Sequence, residues 1–178
     1  DEFYSVLIRV LEGIGSVLGI PRPVEEGRKY IVEVSGDIAG SIDSDIVQTY
    51  LTTEPGCEVR LRKRVFEGKT VYVHTTKKML STNEQIETER QIGKNLYESM
   101  LQQADPYRVT IRKHRKSFIW KGQYFELDPF EAPVPGLVIL ETKGIAKQES
   151  VKFPPFIHVK EDITGNTQYY NYNIALRK

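Results

Sequence analysis

The stretch Glu58-Val59-Arg60-Leu61-Arg62-Lys63-Arg64 decides the fold. Successive side chains of a strand point to opposite faces. Val59 and Leu61 therefore lie on one side, with Glu58, Arg60, Arg62 and Arg64 on the other, which makes one strand face strongly basic. The same split recurs along the chain. Phe125 and Leu127 alternate with Glu126 and Asp128, and Val138, Leu140 and Thr142 alternate with Ile139, Glu141 and Lys143. A two-residue spacing also brings Lys113 and Arg115, Thr75 and Lys77, and Glu87 and Glu89 onto common faces.

Working outward, short runs rich in Val, Tyr, Ile and Thr alternate with turn residues, the mark of antiparallel strands. About eight are expected, near 29–34, 46–51, 58–65, 70–77, 86–92, 107–120, 123–128 and 138–143, close to the number at which small barrels close. Between the fifth and sixth, Leu96, Tyr97, Met100 and Leu101 share one face of a helix over 93–104 that Asp105 and Pro106 stop. Upstream, Phe3, Val6, Leu7, Val10, Leu11, Ile14, Val17 and Leu18 recur at helical spacing and predict an amphipathic helix, ended by Gly19, Pro21 and Pro23. Its bland role is packing on its own domain. The expected organisation is residues 1–22 as helix and linker, 23–147 as the barrel, and 148–178 as an ordered extension packed on it.

Two architectures use such strands. An open sheet would solvate its charged faces, pairing opposite charges across strands for about 0.2–1 kcal/mol each. A closed sheet with its apolar face outward, under helices, would gather every charged face into one tunnel. The low-dielectric walls of a tunnel focus the field of its basic residues on an entering polyanion. A phosphate chain is the natural guest, because arginine forks bind phosphate bidentately and lysines act as point charges.

Composition sets limits. The chain has 178 residues, 39% hydrophobic and 28% charged, which suits one globular domain with a core of its own. No run approaches the roughly 20 apolar residues of a membrane-spanning helix. The single cysteine, Cys57, excludes an internal disulfide framework and a zinc cluster and fits a cytoplasmic setting. A net charge of +1 gives no global pull towards nucleic acid. Tyr107, Arg108, Lys113, Arg115, Lys116, Phe118 and Trp120 do interleave aromatic and basic residues, yet no specific nucleic-acid site is expected. His74, His114 and His158 lie on separate segments without metal-ligand spacing.

The order of these segments resembles the CYTH and thiamine-triphosphatase-like domains of the triphosphate tunnel superfamily, from about Val24 to Gly144. Glu25, Gly27, Arg28, Lys29 and Tyr30 look like the family's opening Glu-x-Glu-x-Lys strand with its middle glutamate replaced. Arg60 and Arg62 resemble its paired strand arginines, and Thr75 with Lys77 its Thr-x-Lys strand. Glu87 with Glu89 resembles the next acidic pair. Lys113 with Arg115 and Glu126 with Asp128 look like its Lys-x-Arg and Glu-x-Asp pairs, while Glu141 and Lys143 stand where it closes with Glu-x-Glu. The helix before the barrel and the tail are similar to a narrower group, the TRP translocation-defective family, in which a P-loop NTPase precedes a CYTH-like domain. The chain opens on Asp1 and has no Walker motif, so that NTPase half is expected outside it.

The resemblance implies an α+β fold, a closed or nearly closed antiparallel β-barrel with helices outside. It implies phosphate ligands Lys29, Arg60, Arg62, Lys77, Lys113, Arg115 and Lys143, and a metal set of Glu25, Glu87, Glu89, Glu126, Asp128 and Glu141. Glycine at 27 and lysine at 143 remove carboxylates and add a cation, so the magnesium or manganese site is expected to be weak. The leading expectation is a domain that binds a phosphorylated anion with little or no hydrolysis. Its ligand would be a phosphoinositide or phosphatidic acid headgroup, with peripheral membrane association, or a polyphosphate or nucleotide. The alternative is a divalent-metal triphosphatase acting on tripolyphosphate, a nucleoside triphosphate or thiamine triphosphate.

Overall fold

A computed structural model describes Val10, Ile14, Gly19 and residues 22–23, 27–81, 84–143 and 150–177. Apart from Val10 and Ile14, both helical, the helix expected over 3–18 lies outside the described residues, as does Glu25.

The strands are β1 (Arg22–Pro23), β2 (Arg28–Val34), β3 (Ile42–Tyr50), β4 (Cys57–Phe66), β5 (Lys69–Ser81), β6 (Glu84–Ile92), β7 (Ile111–Trp120), β8 (Gln123–Ala132), β9 (Val138–Thr142) and β10 (Ile157–Asp162). All pair antiparallel in the order β1-β6-β5-β4-β3-β7-β8-β9-β2-β10. Two-residue turns set the β4–β5 and β7–β8 registers: Glu67-Gly68 and Lys121-Gly122 all take positive φ, the twist that a tight hairpin needs. No hydrogen bonds join β1 to β10 among the described residues, so the sheet curls without closing. The curl is deep. Lys77 on β5 feels the charge of Lys29 on β2, six places away in strand order.

Helix α1 (Lys94–Met100), continued by a 3-10 turn (Leu101–Gln103), buries Tyr97 against Leu51 and Leu61 on the outer face of the sheet. Tyr30, Val32, Phe118, Phe125, Leu127 and Leu140 form a second outer core, covered by Val151, Phe153 and Phe156 rather than by a helix. The charged face is thereby left inside. Among the described residues no helix is long and apolar enough to cross a membrane.

Residues 150–177 carry one strand that the sequence's periodicity does not show. β10 adds to β2, and a 3-10 turn (Thr167–Tyr169) and helix α2 (Asn171–Ile174) then run across one end of the lumen. There Tyr50, Ile111, Phe130 and Ile139 of the inner face pack with Ile163, Tyr172 and Ala175 into an apolar plug. Tyr172 meets the Tyr50 ring edge-on, and the Arg108 guanidinium stacks on Tyr172 with its centre 3.2 Å from the ring centroid.

On the outside, His114 lies between two carboxylates, with Nδ1 2.7 Å from Asp45 and Nε2 3.4 Å from Asp43, which also accepts from Lys116 at 2.6 Å. The bond to Asp45, against partial desolvation, raises the imidazole pKa. A raised histidine pKa adds stability that is complete below the unfolded value and is lost as pH rises through the folded one. In a proton NMR titration, His114 is expected to titrate above His74, whose pKa burial lowers. Asp45→Asn should bring it down, and an unmoved midpoint would show that the ion pair is not formed in solution.

Candidate functional site

Directly opposed residues of an antiparallel pair share a face, so the register assigns the lumen. Arg60 lies opposite Tyr50 and Thr75, Arg62 opposite Gln48 and Val73, and Lys77 opposite Glu58 and Glu87. Glu89 joins from its place opposite Thr75. Lys113 and Arg115 face Ile46 and Ser44, Glu126 faces Glu141, and Glu141 faces Lys29. Every expected site residue that is described, Lys143 aside, thus lies on the inner face of a paired strand. Lys143 follows β9 and is half-exposed, its Nζ 4.0 Å from Glu141.

These charges form three groups. In the first, Asp128 accepts from Lys113 at 2.6 Å and from the Nε and Nη2 of Arg115 at 2.7 Å each, while Arg115 Nη1 meets Glu126 at 2.6 Å. Burial alone would raise the Asp128 pKa, but the two cations and their hydrogen bonds more than reverse it. Burial opposes the charge on Arg115 as well, yet Glu126 and Asp128 hold its pKa well above the ordinary value. Tyr124 donates to Glu126 at 3.0 Å, and its own pKa is pushed up to about 12 by burial and that carboxylate.

In the second group, Arg60 lies 3.5–3.8 Å from Glu58, Glu87 and Glu89, Arg62 lies 3.7 Å from Glu89, and Lys77 3.5 Å from Glu87. Arg62 is the poorly compensated member. Burial and then the charge of Arg60 pull its pKa down to about 10, with Arg115 acting in the same direction. The third group is Glu141 with Lys29 at 3.8 Å and Lys143 at 4.0 Å; burial works against the carboxylate, but these cations keep its pKa lowered. Among the described residues these three groups hold seven cations, the half-exposed Lys143 included, against six carboxylates, Glu58 included. The charge of the lumen therefore leans slightly positive.

The tail also holds Lys29. Its backbone N–H donates to Thr164 Oγ1 at 3.0 Å, its carbonyl accepts from Ile163 N–H at 2.9 Å, and its Nζ lies over the Tyr170 ring. Beside the plug, Glu58, Lys77, Cys57, Met79, Gln85 and Tyr172 line a cavity of about 380 Å³.

Gly27 explains part of the altered acidic pattern sterically. A Cβ there would lie 2.9 Å from the Thr142 carbonyl oxygen and 3.1 Å from both Glu141 Oε1 and Lys143 Cγ. A glutamate at 27 would collide with backbone that cannot yield cheaply, and the Lys143 stem fills the space. Gly27→Ala is therefore expected to cost about 1–3 kcal/mol, as overpacking does. A lower urea midpoint at unchanged slope would register it; an unchanged midpoint would mean that β2 and β9 separate easily.

No protein-family model matches the chain, and no curated protein matches it in sequence. Solved structures do match. One, described as the hypothetical protein NE1496, aligns at TM-score 0.62 and 26% identity over 86% of this chain and 99% of its own. Another, described as the inorganic triphosphatase NE1496, aligns at TM-score 0.63 and 26% identity over 87% of this chain and 96% of its own. The chain is a CYTH-like domain.

For this CYTH-like domain, a divalent ion needs oxygen ligands that are not all committed elsewhere. Among the described residues no three His, Cys, Asp or Glu side chains form a metal-binding group. Glu87 and Glu89 are engaged by Arg60, Arg62 and Lys77, and Asp128 by Lys113 and Arg115. Glu126 and Glu141 are direct cross-strand partners, Glu126 meeting Arg115 at 2.6 Å and Glu141 held more loosely, 3.8–4.0 Å from Lys29 and Lys143. Two neighbouring carboxylates fit magnesium, which keeps waters and completes its shell with substrate phosphates.

Sequence reasoning missed the β3 wall. Ser44, Ile46, Gln48 and Tyr50 alternate like the other strands but carry no charge, so nothing marked them as lining the lumen. The basic run from Arg108 to Lys116 is divided: Lys113 and Arg115 face the lumen, His114 and Lys116 the outer surface, and Arg108 lies against Tyr172.

Proposed function

We propose that this CYTH-like domain is a triphosphate phosphohydrolase that takes a linear polyphosphate, tripolyphosphate in the simplest case, into its basic lumen. The observation that carries the reading is the likeness over 87% of the chain to a protein described as an inorganic triphosphatase, joined to a lumen lined by three groups of paired cations and carboxylates. Arg60, Arg62, Lys77, Lys113 and Arg115 would bind and align the phosphate oxygens, with Lys29 and Lys143 at the Glu141 side. Glu126 and Glu141 would hold a divalent ion that arrives with the phosphate chain. Such an ion neutralises phosphate charge and lowers the pKa of its bound water.

One feature supports a second reading, binding without turnover. The close approach of Gly27 to Thr142, with Lys143 beside it, leaves less negative charge for a metal than the family pattern provides. A tunnel of that kind favours anions that come without metal, phosphorylated lipid headgroups among them. A P-loop NTPase module elsewhere in the parent protein belongs to this second reading.

The two separate in one titration of tripolyphosphate, with and without magnesium or manganese, following heat and released phosphate. Metal-dependent release that disappears in Glu141→Gln is the expected result. Metal-independent binding with no release would replace it with the second reading, and neither heat nor release would reject both.

A further inference from the structure

The lumen contains a polar wall that neither reading uses. Gln48 on β3 is fully buried on the inner face, directly opposite Arg62 on β4. Its Nε2 lies 2.8 Å from the Tyr50 hydroxyl, while its Oε1 is buried without a hydrogen-bond partner. Arg62 Nε is likewise buried and unpartnered. An unmatched buried polar atom costs free energy, and two on opposed residues mark a place where something else belongs.

The Tyr50 hydroxyl also interacts with the Arg60 guanidinium, which can only donate. The hydroxyl thus faces two donor groups, Gln48 Nε2 at 2.8 Å and the Arg60 guanidinium, and neither can take its proton. Turning the carboxamide over removes the conflict. Tyr50 then donates to Oε1 with Arg60 still beside it, while Nε2 becomes a free donor on the face that Arg62 shares. A phosphate oxygen only accepts, so this orientation is the one an anion selects.

We propose that Gln48 is a further residue of the phosphate site, its carboxamide turning over on binding so that Nε2 donates to a phosphate oxygen beside Arg62, with Tyr50 as the positioning residue. The inference rests on the reading that the lumen binds a polyphosphate. It gives the uncharged strand a role in recognising the shape of the anion, since a neutral donor adds direction where the surrounding cations supply attraction.

The test is tripolyphosphate affinity by calorimetry for the wild-type domain and for Gln48→Leu, Tyr50→Phe, the double variant and Arg62→Ala. Gln48→Leu should weaken binding about tenfold or more, the scale of a lost hydrogen bond to a charged group. Tyr50→Phe should weaken it less, and the double variant no more than Gln48→Leu, because Tyr50 acts through Gln48. Wild-type affinity in a folded Gln48→Leu, with binding lost in Arg62→Ala, would overturn this proposal and leave the polyphosphate reading standing. No binding by the wild type would overturn both. The side-chain amide signals of Gln48 in 15N-labelled wild type give a measurement independent of variant folding. They should shift on adding tripolyphosphate, and signals that stay in place while the ligand binds would show that a resident water fills the gap instead.

Discussion

Asp128→Asn is expected to lower the melting temperature by about 10 °C, the largest stability loss of any lumenal substitution considered. The carboxylate is buried, and Lys113 and Arg115 reach it at 2.6–2.7 Å. Removing one partner of a buried ionic group costs about 3–5 kcal/mol, here because Lys113 is left with neither water nor a close counter-ion while Arg115 keeps Glu126. For a domain of this size each kcal/mol moves the midpoint by about 2–4 °C. Asp43→Asn provides the contrast: that carboxylate also meets a lysine at 2.6 Å, but in solvent, where such pairs are worth about 0–1 kcal/mol.

The same physics fixes the pH dependence. The Asp128 pKa is lower in the folded state than unfolded, so its contribution is complete above the unfolded value of about 3.9 and is lost as pH falls towards the folded one. Scanning calorimetry of wild type and Asp128→Asn should show the gap between them begin to narrow below about pH 4 and go on shrinking as the pH falls further. Tripolyphosphate should also raise the midpoint of the variant more than that of the wild type, since it supplies the anion that Lys113 and Arg115 have lost. Equal midpoints for variant and wild type would mean that water reaches this group and that the lumen is far wetter than its burial indicates.

Lys143→Glu is expected to reverse the balance between metal-free binding and metal-dependent chemistry. The Lys143 side chain is 47% exposed and its Nζ lies 4.0 Å from Glu141, so the fold tolerates the exchange. The change replaces a positive charge by a negative one beside Glu141 and Glu126. The exchange moves two unit charges, and for a half-exposed side chain at an effective dielectric of about 40 each is worth about 1 kcal/mol at about 8–10 Å, so metal-free tripolyphosphate affinity should drop by about tenfold to a hundredfold. Magnesium or manganese should recover that loss, because three neighbouring carboxylates hold a divalent ion better than two. Phosphate release per molecule should rise in step with metal concentration. Unchanged affinity in the absence of metal would show that Lys143 does not reach the ligand.

Much of the fold could be read directly from residue order. The alternation through Glu58–Arg64, Glu126–Asp128 and Ile139–Glu141 survives, though not as far as Lys143 beyond the end of β9, because a buried apolar face permits only one register: a slip of one residue would carry Leu61, Phe125 and Leu140 into the lumen and the charges into the core. Helix α1 was equally legible, since Tyr97 and its neighbours share one face. β10 was not, because five of its six residues are exposed and its strand state comes from pairing with β2. The tail's part in seating Lys29 was hidden for the same reason: Thr164 and Lys29 are 135 positions apart.

The sequence by itself determined which side chains are charged, their two-residue spacing, and hence that most of the charge lies on one face of each strand. Those are local properties, set by the geometry of an extended chain. Only the tertiary structure decided that the faces curl towards one another, that Asp128 is shared by Lys113 and Arg115 while Arg62 stays under-compensated, and that Gln48 faces the lumen with an unmatched oxygen. Such pairings depend on distances across the sheet of a few ångströms, which the curl of the whole assembly sets and no single segment encodes.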